Sequence, residues 1–151
     1  MSHSGLSFSR PGQAAREAAG RFTPQARRIL VVEDDPAIMA SLTETLVEEG
    51  FEVEAAANGR EGLERLRTGP RPAAIILDLM MPVMDGWDFR NEQLKDPVLR
   101  EIPVVVVTAA GFSLATIRMQ FGDVALVPKP VPLPDLLDAI GRVCDATSSA
   151  A

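Results

Sequence analysis

The chain has 151 residues, 46% of them hydrophobic and 24% charged, with a net charge of −6, enough for one domain with a real core and ordinary for a globular protein. The acidic balance argues against nucleic-acid binding driven by phosphate neutralisation, and no apolar run has the length of a membrane span or the form of a secretion signal. One cysteine, Cys144, excludes an internal disulfide and fits a reducing compartment, and one histidine, His3, in a polar tail disfavours transition-metal sites and Ser-His or Cys-His catalysis.

Residues 1–26 are rich in Ser, Gly, Ala, Arg and Gln and read as a flexible N-terminal extension, with a short helix expected over Gln13–Ala19. The ordered domain is expected over 27–145, with 146–151 as a short small-residue tail. Arg28 to Val32 is a short apolar strand. Asp35-Pro36 opens a helix as N-cap and first helical residue, with Ile38, Leu42, Thr45, Leu46 and Val47 as its apolar face and Gly50 at its end. Phe51 to Ala55 is a second strand, with edge-like charges at Glu52 and Glu54. Asn58-Gly59 turns into a helix bearing Gly62, Leu63 and Leu66, which ends before Gly69-Pro70. Ala73 to Leu77 is the third strand, and Asp78 is the only charge in the apolar run that continues through it to Met81. Asp85-Gly86 leads into a helix through Trp87, Phe89 and Leu94. Ile102 to Val107 is a fourth strand, rich in β-branched residues. Ser113 to Met119 is a weaker helix, Val124 to Val127 a fifth strand, and Leu133 to Val143 the last helix. Alternating strands and helices imply an α/β fold: an open, doubly wound, five-stranded parallel sheet with five helices.

In such sheets ligands bind at the carboxyl ends of the strands. Strand one ends in Glu33-Asp34-Asp35, strand three in Asp78, strand four in Thr108 and strand five in Pro128-Lys129-Pro130. Several carboxylates at one edge repel unless a hard cation joins them, and oxygen donors without His or Cys point to Mg²⁺. A threonine hydroxyl and a lysine ammonium suit phosphoryl oxygens. The combination suggests an aspartate nucleophile that accepts a phosphoryl group. Taken singly, each residue has a plainer explanation: Asp35 as a helix cap, Asp78 as a strand-end turn residue, Thr108 as a strand residue, Lys129 as a surface lysine.

From about Arg27 to Cys144 the chain resembles the receiver domain of two-component response regulators. The resemblance rests on Ile29–Pro36, on Ile76–Trp87 (Ile-Leu-Asp-Leu-Met-Met-Pro-Val-Met-Asp-Gly-Trp), on Val106-Val107-Thr108-Ala109 and on Lys129-Pro130. It implies a flavodoxin-like sheet of strand order 2-1-3-4-5. It implies Asp78 as phosphoacceptor, with Glu33, Asp34, Asp78 and the Met80 carbonyl as Mg²⁺ ligands. It implies Thr108 and Lys129 as phosphoryl-binding residues, and a cis Lys129-Pro130 bond. A sensor histidine kinase or a histidine phosphotransfer protein would be the donor, a downstream protein the target, and the cytoplasm the location. The domain would be a phosphoacceptor rather than an enzyme, with no nucleic-acid or membrane partner.

The chain departs from that pattern in places. The family often carries an aromatic residue three positions before the lysine, where Leu126 stands here. Gly111–Asp123 lacks the usual alanine- and glycine-rich fourth helix, and Pro128, Pro132 and Pro134 stiffen the fifth strand's exit. Met80 and Ala110 offer no polar group to orient water, so slow self-dephosphorylation is expected. Nothing after Cys144 could form an output domain, so a stand-alone switch or phosphoryl shuttle is expected. Two alternatives are an aspartate-nucleophile phosphohydrolase, disfavoured by Met80 where a second acid is needed, and a receiver-like interaction module not controlled by phosphorylation.

Overall fold

The computed structural model describes residues 28–109, 111–122 and 124–150, with side chains as far as Cys144. The N-terminal extension, with His3 and the helix expected over Gln13–Ala19, lies outside the described residues, as does Ala110.

The strands are β1 Arg28–Val32, β2 Glu52–Ala56, β3 Ala74–Asp78, β4 Val104–Thr108 and β5 Ala125–Pro128. They form one sheet in the order β2-β1-β3-β4-β5, with every pairing parallel. The helices among the described residues are α1 Pro36–Glu48, α2 Gly59–Thr68, α3 Gly86–Lys95, α4 Leu114–Phe121 and α5 Leu133–Ala150, with a 3₁₀ turn at Leu99–Glu101.

Strand side chains alternate between two apolar layers. Leu30, Val32, Ile75, Leu77, Val104 and Val106 face α2, α3 and α4 through Leu63, Leu66, Phe89, Ile117 and Phe121. Ile29, Val31, Ile76, Val105, Val107 and Val127 face α1 and α5 through Leu42, Leu46, Leu136 and Ile140. Each fully buried Leu or Ile contributes about 2 kcal/mol, so a sheet apolar on both sides needs helices on both sides. The helices begin where side chains satisfy free amides. Asp35 accepts from Ala37 and Ile38, Asn58 from Glu61, Asp85 from Asp88, and Ser113 from Thr116.

Element boundaries move by one or two residues from those expected, except at the last helix, which takes in most of the expected 146–151 tail. β2 and β3 each start and end one residue later, because pairing with β1 and β4 sets their limits. Ile102 is not in β4: its amide closes the 3₁₀ turn on the Leu99 carbonyl. β5 starts at Ala125 and admits Pro128 at its end, opposite Thr108. α4 extends to Phe121, and α5 runs beyond Val143 to Ala150. Val47, expected on the apolar face of α1, is exposed, and so is Leu94 in α3. On the Phe89 side of α3 the buried position is Gln93, one turn after Phe89 rather than five residues after it. At the β2 edge, Glu52 and Glu54 pair with Arg28 and Arg65, at 3.1 and 3.3 Å.

Gln93 is fully enclosed, and its Nε2 donates to the carbonyls of Leu99 and Ile102 at 2.9 and 3.1 Å. Its Oε1 accepts from Arg90 Nη1 at 2.9 Å. This amide anchors the 3₁₀ turn that delivers the chain into β4. Gln93→Leu should therefore destabilise the domain by about 3 kcal/mol, since apolar bulk is kept while buried polar groups lose their partner. Urea unfolding checks this, and a shift within error of zero would contradict it.

Candidate functional site

Parallel pairing brings the carboxyl ends of β1, β3, β4 and β5 to one edge, and the predicted residues sit there. Glu33 and Asp78 are 3% and 4% exposed, an expensive state for two carboxylates. One oxygen each of Glu33, Asp34 and Asp78 lies within 4.8 Å of the others, and Asp34 is exposed at the rim. Lys129 reaches in from the end of β5. Its Nζ is 3.1 Å from Glu33 Oε1 and 3.2 Å from Asp78 Oδ2, so one ammonium bridges both buried acids.

Burial drives the Glu33 carboxyl up from its ordinary value. The Asp35 amide opposes this, the Asp78 charge adds to it and Lys129 opposes it, and the net direction is upward. Burial pulls Lys129 down, but the Glu33 hydrogen bond and the charges of Asp78 and Glu33 outweigh it, so the ammonium is held above its ordinary value. The Lys129–Pro130 peptide is cis, and the Lys129 amide donates to the Thr108 carbonyl at 2.9 Å.

The remaining predicted residues are placed differently. Asp35 is committed to capping α1, although its amide donates to Glu33 Oε2 at 3.1 Å. Thr108 lies at the same edge beside the β3 end, but its hydroxyl donates to the Ala109 carbonyl at 3.2 Å and is not brought to the carboxylates. Met80 is 59% exposed, and it offers its amide to Asp78 Oδ1 at 3.3 Å. Leu126 carries no ring and packs against the α2–α4 layer.

In the sequence Gly86 stands as the lead-in to a helix, and the structure gives it a second part. Its amide donates to the Leu79 carbonyl at 2.9 Å, and a Cβ there would meet the Asp78 carbonyl oxygen and sit 2.8 Å from Leu79 Cα. The backbone that carries Asp78 thus packs directly on the start of α3. Val83, in the loop between them, has φ +70°, and the Met84 amide bonds back to the Pro82 carbonyl at 2.8 Å across it. A β-branched residue in that region is strained. Val83 is 66% exposed and packs little. Val83→Gly should therefore stabilise the domain by about 1 kcal/mol, the torsional relief exceeding the added freedom of the unfolded chain. A lower urea midpoint than wild type would contradict this.

A metal could use this edge: its donors are oxygens only, two of the acids are buried, and a third opens to solvent where bound waters fit. Glu33, Asp34 and Asp78 are the side chains that would hold it.

Known proteins share this sequence pattern and fold. The response regulator receiver domain model matches residues 29–141. Response regulator MprA of Mycolicibacterium vanbaalenii is 40% identical over 111 residues, covering 73% of this chain and 47% of that protein. Response regulator Rre1 of Synechocystis sp. is 37% identical over 116 residues, covering 76% of this chain and 49% of that one. The chain therefore spans about half the length of these relatives. The CheY-like response regulator receiver domain protein of Methanospirillum hungatei superposes with a TM-score of 0.74 at 31% identity, over 83% of this chain and 98% of that one. On sequence and on fold alike, the chain belongs to the response regulator receiver domains.

Proposed function

We propose that Asp78 accepts a phosphoryl group from a phosphohistidine on a sensor kinase or a histidine phosphotransfer protein. A carboxylate oxygen of Asp78 attacks phosphorus as the P–N bond to the donor histidine breaks, and the histidine nitrogen leaves with the electron pair. The observation that carries this reading is the single ammonium of Lys129 between two buried carboxylates, with Asp34 alongside. Two acids and one fixed cation leave the edge short of positive charge, which is the condition for holding a divalent metal and a phosphoryl group together.

Each side chain then has a role. Asp78 supplies the nucleophile, supported by the Met80 amide on its Oδ1. Glu33 and Asp34, with Asp78 and the Met80 carbonyl, would hold Mg²⁺, and the bound ion would supply positive charge to the phosphoryl oxygens. Lys129 stays protonated and pairs with one of those oxygens. Thr108 must turn its hydroxyl from the Ala109 carbonyl to reach another, so phosphorylation is coupled to movement of the β4 exit. The chain works as a phosphoacceptor whose altered surface is read by a downstream protein, in the cytoplasm; its acidic charge favours neither nucleic acid nor an anionic membrane. No helix among the described residues is long and apolar enough to cross a membrane.

Acetyl phosphate with Mg²⁺ tests the reading. Wild type should gain one acid-stable, base-labile phosphoryl group, seen by mass spectrometry, and Asp78→Asn none. Equal labelling of the two proteins, or labelling unaffected by chelation of Mg²⁺, would refute it.

A further inference from the structure

Backbone hydrogen bonds run across the carboxyl edge of the sheet and join the segments that carry the acids. The Glu33 amide donates to the Ala56 carbonyl at 3.0 Å, which ties the β1 exit to the end of β2. The Gly59 amide donates to the Met84 carbonyl at 2.8 Å, which ties the start of α2 to the loop between β3 and α3. The Gly86 amide closes that loop on the Leu79 carbonyl. Ala57 and Asn58 are all that separates Ala56 from Gly59. The turn from Ala56 to Gly59 therefore stands between Glu33 and Asp34 on one side and the loop 79–85 on the other.

This turn is braced. Asn58 Oδ1 accepts from the Glu61 amide at 2.9 Å, and Glu61 Oε1 accepts from the Ala57 amide at 3.0 Å, so the two caps are reciprocal. Gly59 is buried. A Cβ on it would lie 2.8 Å from the Met84 carbonyl oxygen, 2.8 Å from Met84 Cγ and 3.1 Å from the Asp85 carbonyl oxygen. Its φ is not positive, so the position demands space rather than torsional freedom. No side chain fits between the turn and the loop backbone. Gly62, in the next turn of α2, makes the contrast: a Cβ there would meet the side chains of Phe89 and Val32 at 3.1 Å, inside the core and away from the loop.

We infer that Gly59 is a positioning residue for Mg²⁺, and that the braced turn sets the spacing between the two sides of the metal site. This rests on the phosphoacceptor reading above, in which the loop supplies the Met80 carbonyl and the β1 exit supplies Glu33 and Asp34. Mg²⁺ demands near-octahedral geometry with donors at about 2.1 Å, so small errors in that spacing weaken it. The Gly86–Leu79 hydrogen bond holds the Asp78 end of the loop. A push at Met84 therefore falls on the backbone from Met80 onward and leaves the nucleophile in place. Supports just outside a ligand shell are commonly worth about ten- to a hundredfold in metal affinity.

Calorimetric titration of the full chain with Mg²⁺, beside urea unfolding and acetyl phosphate uptake, tests this. Gly59→Ala should raise the Mg²⁺ dissociation constant about tenfold, yet take up phosphoryl groups near the wild-type rate once Mg²⁺ saturates. Gly62→Ala should lower the unfolding midpoint and bind Mg²⁺ like wild type. Glu61→Ala removes the brace on Ala57 without adding bulk and should also weaken Mg²⁺ binding; Glu61→Gln keeps the acceptor and should restore it. That pair decides the matter if Gly59→Ala does not fold. Wild-type affinity in Gly59→Ala or Glu61→Ala, an equal loss in Gly62→Ala, or no recovery in Glu61→Gln would overturn the inference and leave the phosphoacceptor reading intact. Failure of wild type to bind Mg²⁺ would overturn both.

Discussion

Lys129→Met should cost the metal-free protein about 3 kcal/mol at neutral pH and slow phosphoryl uptake about a hundredfold. The substitution keeps the apolar stem and removes the ammonium that lies 3.1 Å from Glu33 and 3.2 Å from Asp78. Both carboxylates stay buried at the β1 and β3 ends, where removing one partner of an ion pair leaves uncompensated charge. In wild type the Lys129 value is raised: burial lowers it, and the Glu33 hydrogen bond with the charges of Asp78 and Glu33 more than restores it. A raised folded-state value means that this pairing stabilises fully below the unfolded value of 10.5 and is lost only as pH rises through the folded value above it. Wild type thus carries the full contribution at pH 7. In the variant, protonation of Glu33, whose carboxyl burial already holds above its ordinary value, relieves the repulsion, so the deficit should shrink as pH falls toward 5. Urea unfolding at both pH values, with acetyl phosphate uptake measured alongside, checks both parts. Stability equal to wild type at pH 7 would show that Lys129 is dispensable to the fold.

The features of this fold that repeat along the chain are legible in the sequence alone. Continuous apolar runs marked the strands, and Asp35-Pro36, Asn58-Gly59 and Asp85-Gly86 marked the starts of α1, α2 and α3. Strand ends were less legible, because they depend on the neighbour: Asp78 belongs to β3 by its register with Val107, and Pro128 to β5 by its register with Thr108. The grouping of Glu33, Asp34, Asp78 and Lys129 follows from strand order and direction. What no linear pattern contains is side-chain direction. The Thr108 hydroxyl is on its neighbour's carbonyl, and Met80 meets Asp78 through its amide. Gln93 leaves a trace, a polar residue one turn from Phe89 on an inward-facing phase, but polar helix residues are usually exposed, so the trace does not by itself mark a buried anchor. The ties of α4 to Trp87, Arg90 and Asn91 join segments about thirty residues apart and have no signature in spacing.

Gly86→Ala should be the most damaging single-methyl change in the domain, costing about 3 kcal/mol and lowering phosphoryl acceptance in the protein that still folds. Gly86 is not one of the positive-φ glycines, so the cost is steric rather than torsional. The added Cβ would meet the carbonyl oxygen of Asp78 and come within 2.8 Å of Leu79 Cα. Both belong to backbone rather than to a flexible side chain, and Leu79 is completely buried. The loop cannot step aside easily: the Gly86 amide holds the Leu79 carbonyl, and the Gly59 amide holds the Met84 carbonyl at 2.8 Å. Relief must come from moving the end of β3, which shifts the Asp78 carboxylate relative to Lys129 and Glu33. Displacements of about 1 Å at reacting groups cost on the order of a hundredfold in rate. Gly141→Ala is the matched control: it adds the same methyl within α5, where a Cβ would meet nothing within 4 Å, and should gain about 0.7 kcal/mol from helix propensity. Chemical unfolding and acetyl phosphate labelling of the two variants side by side separate steric damage at the site from a general effect of losing glycine. Matching unfolding midpoints would mean that the β3 end yields to a methyl group, and Gly86 would then be a turn residue with no part in positioning Asp78.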